Sequence, residues 1–167
     1  MVPSDLDERL PAGPPAAAAV ALALAKARAV AARAPGAVVL GADTIVVLDG
    51  RVLGKPLGVS DAARMLRALR NREHEVITGV AVVAPDSREQ TAAVVTRVTM
   101  RAYSDAEIDR YVATGEPLDK AGAYAVQEEG SQLVAAVDGC YTNVVGLPLT
   151  TTRRLLAAAG VSVLEMG

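Results

Sequence analysis

Along this chain, apolar positions group into blocks whose spacing alternates between helical and extended character. Residues 16–34 are mostly alanine with Val20, Leu22, Leu24 and Val30, broken by Lys26, Arg28 and Arg33. That composition favours helix, and Pro35-Gly36 stops it. Residues 37–48 form a Val-rich run that reads as a buried strand, interrupted by Gly41-Ala42-Asp43-Thr44. Asp49-Gly50 is a two-residue hairpin signal, with Arg51-Val52-Leu53 as the returning strand. The first fifteen residues, with Pro3, Pro11, Pro14 and Pro15, read as loop or the tail of a strand.

Ser60 and Asp61 open a second helix with Ala62, Met65, Leu66 and Leu69 on one face and Arg64, Arg67 and Arg70 towards solvent. Residues 75–83 and 90–100 are strand-like runs around a Pro85-Asp86 turn and predict an antiparallel pair. Ser104 to Glu107 is a capping box, and the helix it starts turns Ile108, Tyr111 and Val112 inward before ending near Gly115. Residues 122–127 and 133–137 predict two further strands, and a last helix over 149–159 follows Pro148. Repeats and linkers are absent. Strands and helices mix without strict alternation, which predicts an α/β class with a mixed β-sheet flanked by helices.

Composition narrows the function. Hydrophobic residues make up 51% of the chain, yet Phe and Trp are absent and Tyr occurs four times, so the core is built from Val, Leu, Ile and Ala. The formal charge is −2. A nucleic-acid binder needs a basic surplus and aromatic stacking platforms, and the chain has neither. The single Cys140 cannot form an internal disulfide, and with the single His74 it cannot make a zinc site of the usual nitrogen and sulfur kind. Both read as packing residues. The longest apolar stretch, residues 16–25, is far shorter than the roughly 20 residues of a spanning helix, and acidic residues precede it. These features predict a cytoplasmic protein that meets no membrane.

Four places could carry chemistry. Asp43 lies between Val38-Val39-Leu40 and Ile45-Val46-Val47. A carboxylate there is costly unless a cation compensates it; the alternative is a strand-end Asp capping a turn. Lys55, between Gly54 and Pro56 on a short stiff loop, can present a cation to phosphate or be an ordinary solvated lysine. Gln127, at the end of a predicted strand, can hydrogen-bond a base edge with both donor and acceptor, though such a residue needs no function. Residues 143–149, Asn-Val-Val-Gly-Leu-Pro-Leu, form a loop entering a helix whose free N–H groups can face an anion.

The run VVLGADTIVVLDGRVLGKP, then HEVITGVAVV, then EPLDKAGAYAVQ, then NVVGLPL resembles the Maf family of nucleotide pyrophosphatases, in that family's order and spacing. Gly-Ala-Asp-Thr together with Gln127 is similar to the branch acting on dTTP and UTP. The resemblance implies a two-lobed α/β fold with a cleft, like the inosine triphosphate pyrophosphatases, spanning residues 1–167 as one domain. It implies hydrolysis of a nucleoside triphosphate to the monophosphate and pyrophosphate, possessing a divalent cation, Mg²⁺ or Mn²⁺, as cofactor. Asp43 would be the proton acceptor or metal-linked carboxylate, and Glu8 a second acidic group near the metal. Thr44 and Gln127 would set base preference, Lys55 and Lys26 would neutralise phosphate charge, and Asp119 and Lys120 would lie in the cleft.

The resemblance has two departures. The family opens with a strand and a Ser-x-Ser-Pro-Arg-Arg loop, whereas Met1 stands just before Val2-Pro3-Ser4-Asp5, beyond that unit. A chain truncated there would leave a sheet edge bare and bind triphosphate weakly; a start placed too far downstream is the expected explanation. Glu128 also stands where the family usually has Gly. The alternative function is a catalytically impaired nucleotide-binding protein with a regulatory role in cell division. The alanine helix can bury its apolar surface inside the chain or against a second copy, so a homodimer is one expected arrangement.

Overall fold

The computed structural model describes residues 13–162. Helix α1 (Pro15–Ala31) starts with Pro at its first position, where the missing N–H costs nothing. Strand β1 (Val39–Leu48) is continuous, so Gly41-Ala42-Asp43-Thr44 does not interrupt it. Asp49 (φ 50°) and Gly50 (φ 74°) then make the hairpin to β2 (Arg51–Leu53). Helix α2 (Val59–Leu69) buries Ala62, Met65, Leu66 and Leu69 as its spacing predicts. Strands β3 (Glu73–Val83) and β4 (Glu89–Met100) form the long antiparallel pair. Helix α3 (Asp105–Ala113) carries the capping box, with Ser104 and Glu107 bonded reciprocally. Strand β5 (Val134–Asp138), the short helix α4 (Tyr141–Val145) and helix α5 (Leu149–Ala158) complete the order.

The five strands form one sheet in the order β2-β1-β3-β4-β5. The α/β class and the flanking helices are as expected, and each of the four pairings among the described strands is antiparallel. The predicted strand over 122–127 is not formed. Gly122 (φ 70°) and Ala123 (φ 61°) turn the backbone into the left-handed region, and two 3-10 turns, Ala121–Ala123 and Glu128–Leu133, bracket irregular chain.

Strand alternation divides the molecule into two sides. Residues 41, 43, 45 and 47 of β1 face α1. Residues 44, 46 and 48 face the larger core, where Val46 and Leu48 meet Leu66, Leu69, Ile108 and Tyr111. Helix α1 lies flush on the sheet because both surfaces are small. Ala19, Ala23 and Ala27 are buried, and a Cβ on Gly79 would collide with the Ala19 backbone, one on Gly41 with the Ala23 carbonyl. The alanine helix therefore buries its apolar face inside the chain.

Candidate functional site

A cavity of about 220 Å³ opens on the larger-core side of the sheet, with Thr44, Lys55, Lys120, Tyr124, Gln127 and Gly146 among its lining residues. Each wall has a local cause. Thr44 comes from the middle of β1. Lys55 follows β2, where the hairpin's tight turn sends the chain back towards β1. The segment carrying Lys120 and Gln127 is drawn onto the hairpin by the Gly122 N–H donating to the Gly54 carbonyl (3.1 Å). A Cβ at Gly122 would press on the Val46 side chain, so this approach needs glycine.

The Thr44 hydroxyl is already engaged within the protein. Its Oγ1 lies 2.8 Å from Thr78 Oγ1 and 3.3 Å from the Gly146 carbonyl. Thr78 in turn donates to the Asn143 carbonyl (3.2 Å). Asn143 is fully buried, and its Nδ2 donates to the Val76 carbonyl and to Thr96 Oγ1, both at 3.0 Å. This chain of bonds crosses β1, β3 and β4 and fastens α4, hence Gly146, to the sheet.

Charge at the cavity mouth is basic. Lys55 is exposed there. Lys120 donates to Asp119 at 2.6 Å, and the ammonium groups of Lys120 and Lys55 hold the Asp119 carboxyl below the usual range. Behind the cavity, His74 is buried. Its Nε2 is 2.7 Å from the Tyr124 hydroxyl, the rings meet edge to face, and Nδ1 has no partner. Burial pushes the His74 imidazole down to about 4 and the Tyr124 hydroxyl up.

Asp43 lies next to Thr44 but points to the other side of the sheet. There Lys26 of α1 donates to its Oδ1 at 2.8 Å, with only 17% and 12% of the two side chains exposed. Asp43 is thus mid-strand rather than a turn cap, and a cation compensates it. Lys26 and Asp43 come together, as do Thr44, Lys55 and Gln127, but the two groups are separated by the thickness of β1. Strand β2 pairs only with Val46, Val47 and Leu48, so among the described strands none covers that side of residues 39–45. Glu8 lies outside the described residues.

A family model described as Maf-like protein matches residues 1–159. The chain belongs to the Maf family. Among its relatives, a dTTP/UTP pyrophosphatase of Moorella thermoacetica is 57% identical over 163 residues, covering 96% of this chain and 84% of that protein. Another dTTP/UTP pyrophosphatase, of Anaeromyxobacter dehalogenans, is 55% identical over 162 residues, covering 95% and 81%. A solved nucleoside-triphosphatase (dITP/XTP pyrophosphatase) of Mycobacterium abscessus superposes at a TM-score of 0.45 with 14% identity, over 93% of this chain and 78% of that one.

Within this Maf chain, sequence reasoning passed over the side-chain roles of Asn143 and Tyr124, and the structure explains Glu128. Asn143 sits in a recognised segment, but only the fold shows its side chain tying α4 to the sheet. Tyr124 floors the cavity because Gly122 and Ala123 redirect the chain. Glu128 adopts φ 55°, a left-handed conformation that suits glycine best; this accounts for the family's usual Gly there, and the Glu128 side chain is exposed.

Proposed function

We propose that this Maf protein hydrolyses dTTP or UTP to the monophosphate and pyrophosphate. The observation that carries the reading is the convergence of Thr44, Lys55 and Gln127, from three separate segments, on one cavity. Its volume falls below the ~300 Å³ at which whole-ligand pockets begin, so it suits a base, with the rest of the nucleotide outside.

Hydrogen-bond polarity supports a 2,4-dioxopyrimidine. Thr78 gives its proton to the Asn143 carbonyl, so Thr44 donates to Thr78 Oγ1, with the Gly146 carbonyl as its other protein acceptor within reach. The Thr44 oxygen is left to accept from a ligand. Uracil and thymine offer an N3–H donor between two carbonyls; cytosine offers an N3 acceptor. Gln127, with one donor and one acceptor group, completes the match. In this reading the base is chosen for the proton it can give to the Thr44 oxygen.

From the cavity the ribose would lead round the edge of β1 that no described strand covers and set the α-phosphorus by Asp43, with Lys55 and Lys120 offsetting phosphate charge. Asp43 would accept the proton of the water attacking the α-phosphorus, with Lys26 orienting the carboxylate. Mg²⁺ accepts one or two carboxylates plus substrate phosphates, so Asp43 would be a ligand to the ion, with Glu8 the second acidic group near it. Among the described residues no group of three His, Cys, Asp or Glu is placed to hold a metal by itself. Mg²⁺ or Mn²⁺, when bound, would supply charge neutralisation and Lewis acidity at the phosphates.

The test compares pyrophosphate release from UTP and Mg²⁺ by the parent and by Asp43→Asn, with UTP binding measured alongside. The expected result is release by the parent and a loss of at least about 100-fold in the variant, the usual contribution of a positioned general base, with binding retained. UTP binding without release by the parent would overturn the enzyme reading in favour of a nucleotide-binding protein.

A further inference from the structure

The segment that carries Gln127 is held in an unfavourable backbone shape. Ala123 (φ 61°) and Glu128 (φ 55°) are both left-handed, although neither is glycine. Such residues persist only where the surroundings over-determine them. Across residues 125–130 no strand ladder provides that support, so it must come from elsewhere.

One pair of side chains supplies it at both ends. Tyr111 of α3 is buried among the core residues, and its hydroxyl donates to Glu116 Oε1 at 2.9 Å. The same hydroxyl oxygen accepts the Ala125 N–H at 3.2 Å. Glu116 Oε1 also accepts the Gly130 N–H at 3.3 Å. Gly130 permits this, because a Cβ there would collide with the Ala125 carbonyl and crowd the Tyr111 hydroxyl. Burial and the neighbouring Glu116 carboxylate keep the Tyr111 hydroxyl protonated well above neutral pH, so the donor to Glu116 is permanent. We infer that Tyr111 and Glu116 are positioning residues for base selection: together they clamp both ends of residues 125–130 and so fix where Gln127 meets the base.

This inference rests on the proposed role of Gln127, and its test separates the two. Three variants are compared with the parent: Glu116→Ala, which removes the shared acceptor; Tyr111→Phe, which removes the hydroxyl; and Glu116→Gln, which keeps an acceptor oxygen. Two quantities are read: amide hydrogen exchange across residues 125–130 in the free protein, and the ratio of kcat/KM for UTP over CTP. Glu116→Ala and Tyr111→Phe should each raise exchange in that segment and lower the UTP-over-CTP ratio roughly tenfold, the equivalent of about one net hydrogen bond, mainly through KM. Glu116→Gln should stay near the parent. Unchanged exchange in the segment would overturn the clamp, and so would exchange raised equally across the sheet with equal losses on both nucleotides. If the parent turns over no nucleotide, the enzyme reading fails, and exchange confined to residues 125–130 still decides whether the clamp exists.

Discussion

Asp43 and Thr44 are adjacent, yet strand geometry sends one carboxylate to the α1 side and one hydroxyl to the cavity. In the proposed reading, these neighbours would serve the α-phosphate and the base of one substrate bent round β1. His74 shows the cost of such a site. Its imidazole lies behind Tyr124, buried, and is pushed down to about 4 from an ordinary 6.5. The unfolded chain therefore binds a proton that the folded chain refuses as pH falls from 6.5 towards 4. Stability is full above pH 6.5, is lost across that window, and levels off below it. The total linked to this one group is about 3 kcal/mol. Urea unfolding followed between pH 7 and pH 4.5 should show this slope, and His74→Phe should flatten it. The exposed carboxylates act lower, as Glu107 shows: its hydrogen bonds to Ser104 hold it at about 2, and its contribution is lost as pH falls through 4.5 towards that value. An unchanged slope in His74→Phe would show that the imidazole is not the group that charges.

At the scale of elements, α1 is placed by small residues on both partners. Gly79 pairs across the ladder with Asp43, so the helix that seats on Gly79 is the one that delivers Lys26 to Asp43. Gly79→Ala puts a methyl into the Ala19 backbone and should cost about 1–3 kcal/mol of stability, measured by chemical denaturation. A variant as stable as the parent would mean that α1 does not seat this closely.

Much of this architecture was legible because it depends on local rules. The capping box at Ser104, the Asp49-Gly50 hairpin, and the apolar stripe of α2 each contain their own instructions. The segment over 122–127 was not. Its Ala-Tyr-Ala-Val run has strand composition, but two successive left-handed residues and a clamp from Tyr111 and Glu116 decide its path, and the clamp joins residues far apart in the chain. The site divides in the same way. Asp43 stood out because a charge among valines needs a reason. Tyr124 and Asn143 acquire their roles only from what the fold sets beside them.

Among the described residues, one sheet separates a polar pair on the α1 side from a base-sized cavity on the other, and no described strand covers the stretch of β1 between them. No helix among the described residues is long and apolar enough to cross a membrane. The central claim is where water attacks. With Asp43 as the base beside the phosphate nearest the ribose, attack would fall on the α-phosphorus and pyrophosphate would leave intact. Hydrolysis of UTP in water enriched in heavy oxygen, with the products separated and weighed by mass spectrometry, tests this directly. The account predicts one heavy oxygen in UMP and none in the pyrophosphate; label in the pyrophosphate, or release of UDP and orthophosphate, would contradict it.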